Sequence, residues 1–82
     1  MEFIKGKWYC SNGYYIKYSH TIQESGFRKI YGERICNNNY EKSGYWANSD
    51  MERDALKRGF LTDLSFLPKN HPDLQKQIIQ IW

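Results

Sequence analysis

The dipeptide Asn12-Gly13 separates two segments of alternating side chains, and that arrangement commits the start of the chain to a β-hairpin. Both residues tolerate the positive φ that a two-residue hairpin turn demands. Before the turn, "FIKGKWYC" sets Ile4, Gly6, Trp8 and Cys10 on one face and Phe3, Lys5, Lys7 and Tyr9 on the other. After it, "YYIKYSHTI" sets Tyr14, Ile16, Tyr18, His20 and Ile22 opposite Tyr15, Lys17, Ser19 and Thr21. A period of two is the signature of a strand with one apolar face. "QESG" reads as a second turn. "FRKIYGERIC" then supplies a third strand with Phe27, Tyr31 and Ile35 on one side, and Gly32 inside it marks a bulge or a close backbone approach. Three strands joined by tight turns make an antiparallel meander.

The asparagines of "NNNYEKSG" favour a loop over a ladder, and "YWAN" is expected as a short fourth strand. In "SDMERDALKRG", Ser49 and Glu52 have capping-box spacing and Gly59 is a natural stop, so a short helix is expected near 50–58 with Met51, Ala55 and Leu56 inward. The carboxylates Asp50, Glu52 and Asp54 read as its solvated surface. Asp63 can cap the single turn "LSFL", Pro68 discourages further helix, and Pro72 suits the first position of a C-terminal helix near 72–81. Its stripe of Leu74, Ile78, Ile81 and Trp82 needs a sheet face to lie on. His71 is then the residue before a helix, and the prolines around it are helix punctuation.

These elements predict a single α+β domain over residues 1–82. A small curved antiparallel sheet of four or five strands, open or barrel-like, is packed by the two helices. A chain of this size buries only about 60–65% of the surface its unfolded form exposes. Seven Tyr, three Trp and four Phe with few Val and Leu mean that rings must build much of the core. Tyr and Trp carry a polar atom that needs a partner, so some rings are expected half exposed, where a ligand can stack.

A net charge of +3 falls short of the basic stripe of a dedicated DNA-binding protein. No run is apolar enough for a signal peptide or a membrane span, so a soluble, cytoplasmic protein with reduced Cys10 and Cys36 is expected. His20 and His71 lie in no nucleophile–base order and with the cysteines match no zinc spacing. We therefore expect no catalytic residues, no metal and no cofactor. What does stand out is rings interleaved with cations in "KGKWY", "YYIKYSH" and "FRKIYGER". Such a face can stack planar bases and hold phosphates, although any half-buried sheet alternates in a similar way. Trp8, Tyr15, Lys17, Arg28, Tyr31, Arg34 and Trp46 form the candidate ligand-binding pool, with Trp8 and Tyr31 equally suited to the core.

Taken in order, "GKWY", "YYIKYS", "ICNNNYEKSGYW", "ERDA" and "TDLSFLPKNHPDL" resemble small uncharacterised proteins of tailed bacteriophages, notably crAss-like phages of gut bacteria. The likeness covers residues 5–74 and leaves "QKQIIQIW" outside, and "DLSFLP" is shorter than the helix the resemblance implies there. It implies a viral protein acting in the cytoplasm of an infected bacterial host, and it carries over no functional residues. On that origin, a non-enzymatic counter-defence factor that sequesters a nucleotide-type signal is expected. The alternatives are an inhibitor that binds a host defence protein and a nucleic-acid-binding module. A homo-oligomer through Ile79 and Trp82 is a further expectation.

Overall fold

Trp8 and Tyr9 are adjacent on one strand and both are buried, so the sheet they belong to is covered on both faces at that point. The computed structural model describes residues 2–81, with side chains as far as residue 77. Its elements are β1 (Trp8–Ser11), β2 (Tyr14–Glu24), β3 (Phe27–Cys36), β4 (Asn39–Trp46), α1 (Ser49–Arg58) and α2 (Pro72–Ile81). The four strands form one curved, open antiparallel sheet in the order β1-β2-β3-β4.

The hairpin turns follow from the backbone each residue tolerates. Asn12 and Gly13 take φ of 54° and 83°, as the dipeptide predicts. Asn37 and Asn38 do the same at 51° and 66°, which turns the expected asparagine loop into a two-residue hairpin. β4 consequently starts at Asn39 and runs eight residues, twice the length expected from "YWAN". β1 is shorter than the alternation suggested. Residues 5 and 6 form a turn, and Gly6 reaches the ladder only through its N–H to the Tyr18 carbonyl at 2.9 Å.

One face of the sheet carries Tyr9, Ile16, Ile30 and Trp46, closed by Ala55 of α1 with Phe3, Tyr18 and Met51 packed around them. The opposite face carries Trp8 and Ile35, closed by Leu67 with Tyr15, Leu61, Leu64, Phe66 and Leu74. Each fully buried side chain of this size contributes about 1.5–3 kcal/mol. Because the core is split between two faces, neither covering layer is dispensable. Cys10 pairs with Tyr15 on the second face and Cys36 with Tyr14 on the first, so the sheet separates two free thiols.

α1 starts one residue earlier than the capping-box pattern suggests. Asn48 is the cap, its side-chain oxygen accepting from the Asp50 and Met51 amides at 2.9 and 3.2 Å. Glu52, expected on the solvated surface, is buried and paired with Arg28. Its position on the helix faces β3, and only an ion-paired carboxylate can remain there. Past Gly59, the Leu61 N–H bonds the Trp8 carbonyl at 2.8 Å, and the chain crosses to the second face. Asp63 caps the turn that follows by accepting from the Ser65 amide at 3.0 Å. Of the expected C-terminal stripe, Leu74 packs on the second core cluster, while the side chains of Ile78, Ile79, Ile81 and Trp82 lie outside the described residues.

Candidate functional site

His71 is buried directly before α2, where a catalytic imidazole and a structural one are told apart by their partners. Its Nδ1 accepts the Asp73 backbone N–H at 3.0 Å, so the ring proton sits on Nε2 and is donated to Glu33 Oε2 at 2.8 Å. Asp73 accepts the Trp8 indole N–H at 2.9 Å and pairs with Lys17 Nζ at 2.9 Å. Burial pushes the Asp73 carboxyl up, but the hydrogen bonds from Lys17 and Trp8 outweigh it and hold the group below its ordinary value. Both ring nitrogens of His71, the Trp8 indole N–H, Asp73 Oδ2 and Glu33 Oε2 are taken by protein partners. The network is a clamp between the C-terminal layer and the sheet.

The unclamped part of the second face is different, and Gly32 is the reason. A β-carbon on Gly32 would overlap the Lys17 carbonyl oxygen, so only glycine admits β2 this close. Directly beyond that approach the register shifts: Tyr18 pairs with Gly32, whereas His20, not Ser19, pairs with Tyr31. Ser19 is the extra residue of a β-bulge. An unbroken alternation would keep His20 and Ile22 on the face of Ile16. The bulge transfers both to the face of Tyr31, a correction to the two-residue period. His20 now lies flat on Tyr31, ring centroids 5.0 Å apart and planes within 2°. Tyr45 tilts against Tyr31 at 5.4 Å, and Lys29 stands 5.0 Å over Tyr45 and 5.6 Å over Phe27. Phe27 and Tyr45 remain 44% and 43% exposed, which leaves a ring surface uncovered by either layer.

Beside this surface lies a groove of about 310 Å³, lined by Lys5, Lys17, His20, Tyr31, Glu33 and Lys42 among others. That volume falls at the lower end of ordinary ligand sites, about 300–1,000 Å³. Glu33 is engaged by His71 and Lys17 by Asp73. Lys5 and Lys42 have no carboxylate within ion-pair distance among the described residues, so their charge faces the groove unspent.

The candidate pool is divided by the structure. Tyr31 and Lys17 reach this groove. Trp8 and Trp46 are core residues, 2% and 4% exposed, Trp8 closed in by the C-terminal layer and Trp46 by α1. Tyr15 is stacked under Phe66, centroids 4.0 Å apart. Arg28 lies on the α1 face, spent on Glu52. Arg34 is tied to Glu41 at 2.6 Å and to the Tyr45 carbonyl at 2.7 Å. Tyr15, Arg34 and Trp46 do line one common cavity, but at about 190 Å³ with Glu41 in its wall it is too small for a nucleotide. The pattern missed Lys5, His20, Lys42 and Tyr45. Gly32 was the available signal for His20, since it announced an irregularity without saying which neighbouring strand would bulge.

No family model, no curated protein and no solved structure matches the chain. No helix among the described residues is long and apolar enough to cross a membrane.

Proposed function

We propose that this is a non-enzymatic binding protein that captures a nucleotide-type ligand against His20 and Tyr31. The single observation behind this reading is the exposed His20 ring, stacked on half-buried Tyr31, at the mouth of a groove lined by two lysines with no carboxylate partner among the described residues. A base stacks on the outer face of His20, and Lys5 and Lys42 neutralise phosphate. Stacking on a protein ring contributes about 1–3 kcal/mol per base, and the two lysines add charge neutralisation to it. On the resemblance to phage proteins, the ligand is a nucleotide signal of a bacterial defence system and the protein sequesters it in the host cytoplasm.

The test is thermal unfolding with a panel of cyclic dinucleotides and ADP-ribose-type compounds. A ligand at a hundredfold excess over Kd adds about 2.7 kcal/mol, which moves the Tm of a domain this size by roughly 10–20 °C. Shifts below about 2 °C for the whole panel contradict the reading, since the linkage requires more.

One observation favours a second reading. Ile22, Phe27 and Tyr45 are exposed together at the far end of the same face, and aromatic residues there suit an anchor for a host protein. Recovery of a host protein by the unaltered chain and its loss with Phe27→Ala supports docking. Equal recovery by both forms removes Phe27 as the anchor.

A further inference from the structure

The basic side chains are not distributed evenly between those that are neutralised and those that are free. All four arginines, with Lys17 and Lys29, have a carboxylate partner within 4.0 Å; the other six lysines have none among the described residues. Four of those six line two neighbouring grooves. Lys5 and Lys42 belong to the groove under His20, and Lys7 and Lys76 belong to a second one of about 340 Å³ between β1 and the C-terminal layer. Gly6 lines both, and nothing stands within 4 Å of where its side chain would be, so the saddle between the grooves is open. The second groove has its own exposed ring, Phe60, with Lys7 Nζ 4.9 Å from the ring centre. Its one carboxylate, Asp73, is held by Trp8 and Lys17. Uncompensated charge is thus collected along one path with a ring at each end.

We infer that the two grooves form a single track for a short single-stranded oligonucleotide. Its phosphates pass Lys42, Lys5, Lys7 and Lys76 in turn, and its bases stack on His20 at one end and on Phe60 at the other. The inference rests on the nucleotide-binding reading above and narrows its ligand class. A mononucleotide fills the first groove and leaves Lys7, Lys76 and Phe60 unmatched. A strand with about four phosphates matches all of them, in keeping with the backbone-following grooves and stacking rings of single-strand binders, whose sites start at about four nucleotides.

Fluorescence anisotropy of the full chain with 3′-labelled, 5′-phosphorylated oligothymidylates of two, four and eight nucleotides, which carry two, four and eight phosphates, tests this. Affinity should rise about tenfold or more from the two-mer to the four-mer and little further to the eight-mer. The slope of log K against log salt should be about −2.8 for the four-mer and about −1.4 for the two-mer. The double variant Lys7→Ala with Lys76→Ala should weaken the four-mer about tenfold and leave the two-mer unchanged, with an unaltered circular-dichroism melt showing that it folds. Equal affinity for all three lengths overturns the track while leaving the groove under His20 as a nucleotide site. A double variant that binds the four-mer like the unaltered chain also overturns it. Failure to bind the two-mer or any longer strand, or any member of the nucleotide panel, removes both readings together.

Discussion

Gly32 stands so close to the backbone of Lys17 that no other residue fits, and the bulge beside that contact carries His20 onto Tyr31. The shape of one backbone approach therefore decides which ring surface the protein displays. Gly32→Ala should be destabilising near or above the upper end of the roughly 1–3 kcal/mol typical of overpacking, because the obstacle is backbone and cannot rotate away. Urea unfolding measures it. A midpoint within error of the unaltered chain contradicts this account of the bulge.

The clamp around Asp73 should make the attachment of the C-terminal layer acid-sensitive. Its carboxyl is held below the ordinary value in the folded state, so its contribution is complete above the unfolded value of about 3.9. That contribution is lost as pH falls through the ordinary range towards the lower folded value. Asp73→Asn should cost about 1–3 kcal/mol at neutral pH, since Lys17 and the Trp8 indole lose a charged acceptor. The variant should also show a flatter acid limb than the unaltered chain. Thermal unfolding from pH 7 to pH 3 checks both, and parallel curves for the two proteins would remove Asp73 as the group responsible.

Two aromatic residues of similar size should behave in opposite ways. Trp46 fills the core beneath α1, so Trp46→Ala should cost about 3–5 kcal/mol, much of the stability of a domain this small. Phe27 stands 44% exposed on the open face, and Phe27→Ala should stay within about 0.5 kcal/mol. Paired thermal melts decide the matter. A mild Trp46 variant contradicts its place in the core.

How far the pattern of residues could be read differs from element to element for identifiable reasons. Asn12-Gly13, Gly59 and Pro72 carry local signals strong enough to place a turn, a helix end and a helix start. Asn37 and Asn38 were misread because asparagine serves loops and hairpin turns alike, and only the pairing of Cys36 with Asn39 distinguishes the two. The exposure of a ring is harder still. A period of two identifies faces but does not say that both will be covered: the C-terminal layer hides Trp8 and Tyr15, and α1 hides Trp46. For the arginines the obstacle is long-range pairing: Arg28 meets Glu52 from a different element, a relation invisible in the order of residues.

The central claim is that the uncovered rings and free lysines form one capture surface. Titration of the isotope-labelled protein with a four-nucleotide single strand, followed by amide NMR shifts, tests it most directly. The account predicts concentration-dependent shifts at residues 5–7, 18–20, 31–33 and 42–45 and at Phe60, with α1 from Ser49 to Arg58 unmoved. Shifts centred on α1, or a spectrum unchanged at saturating strand, would contradict it.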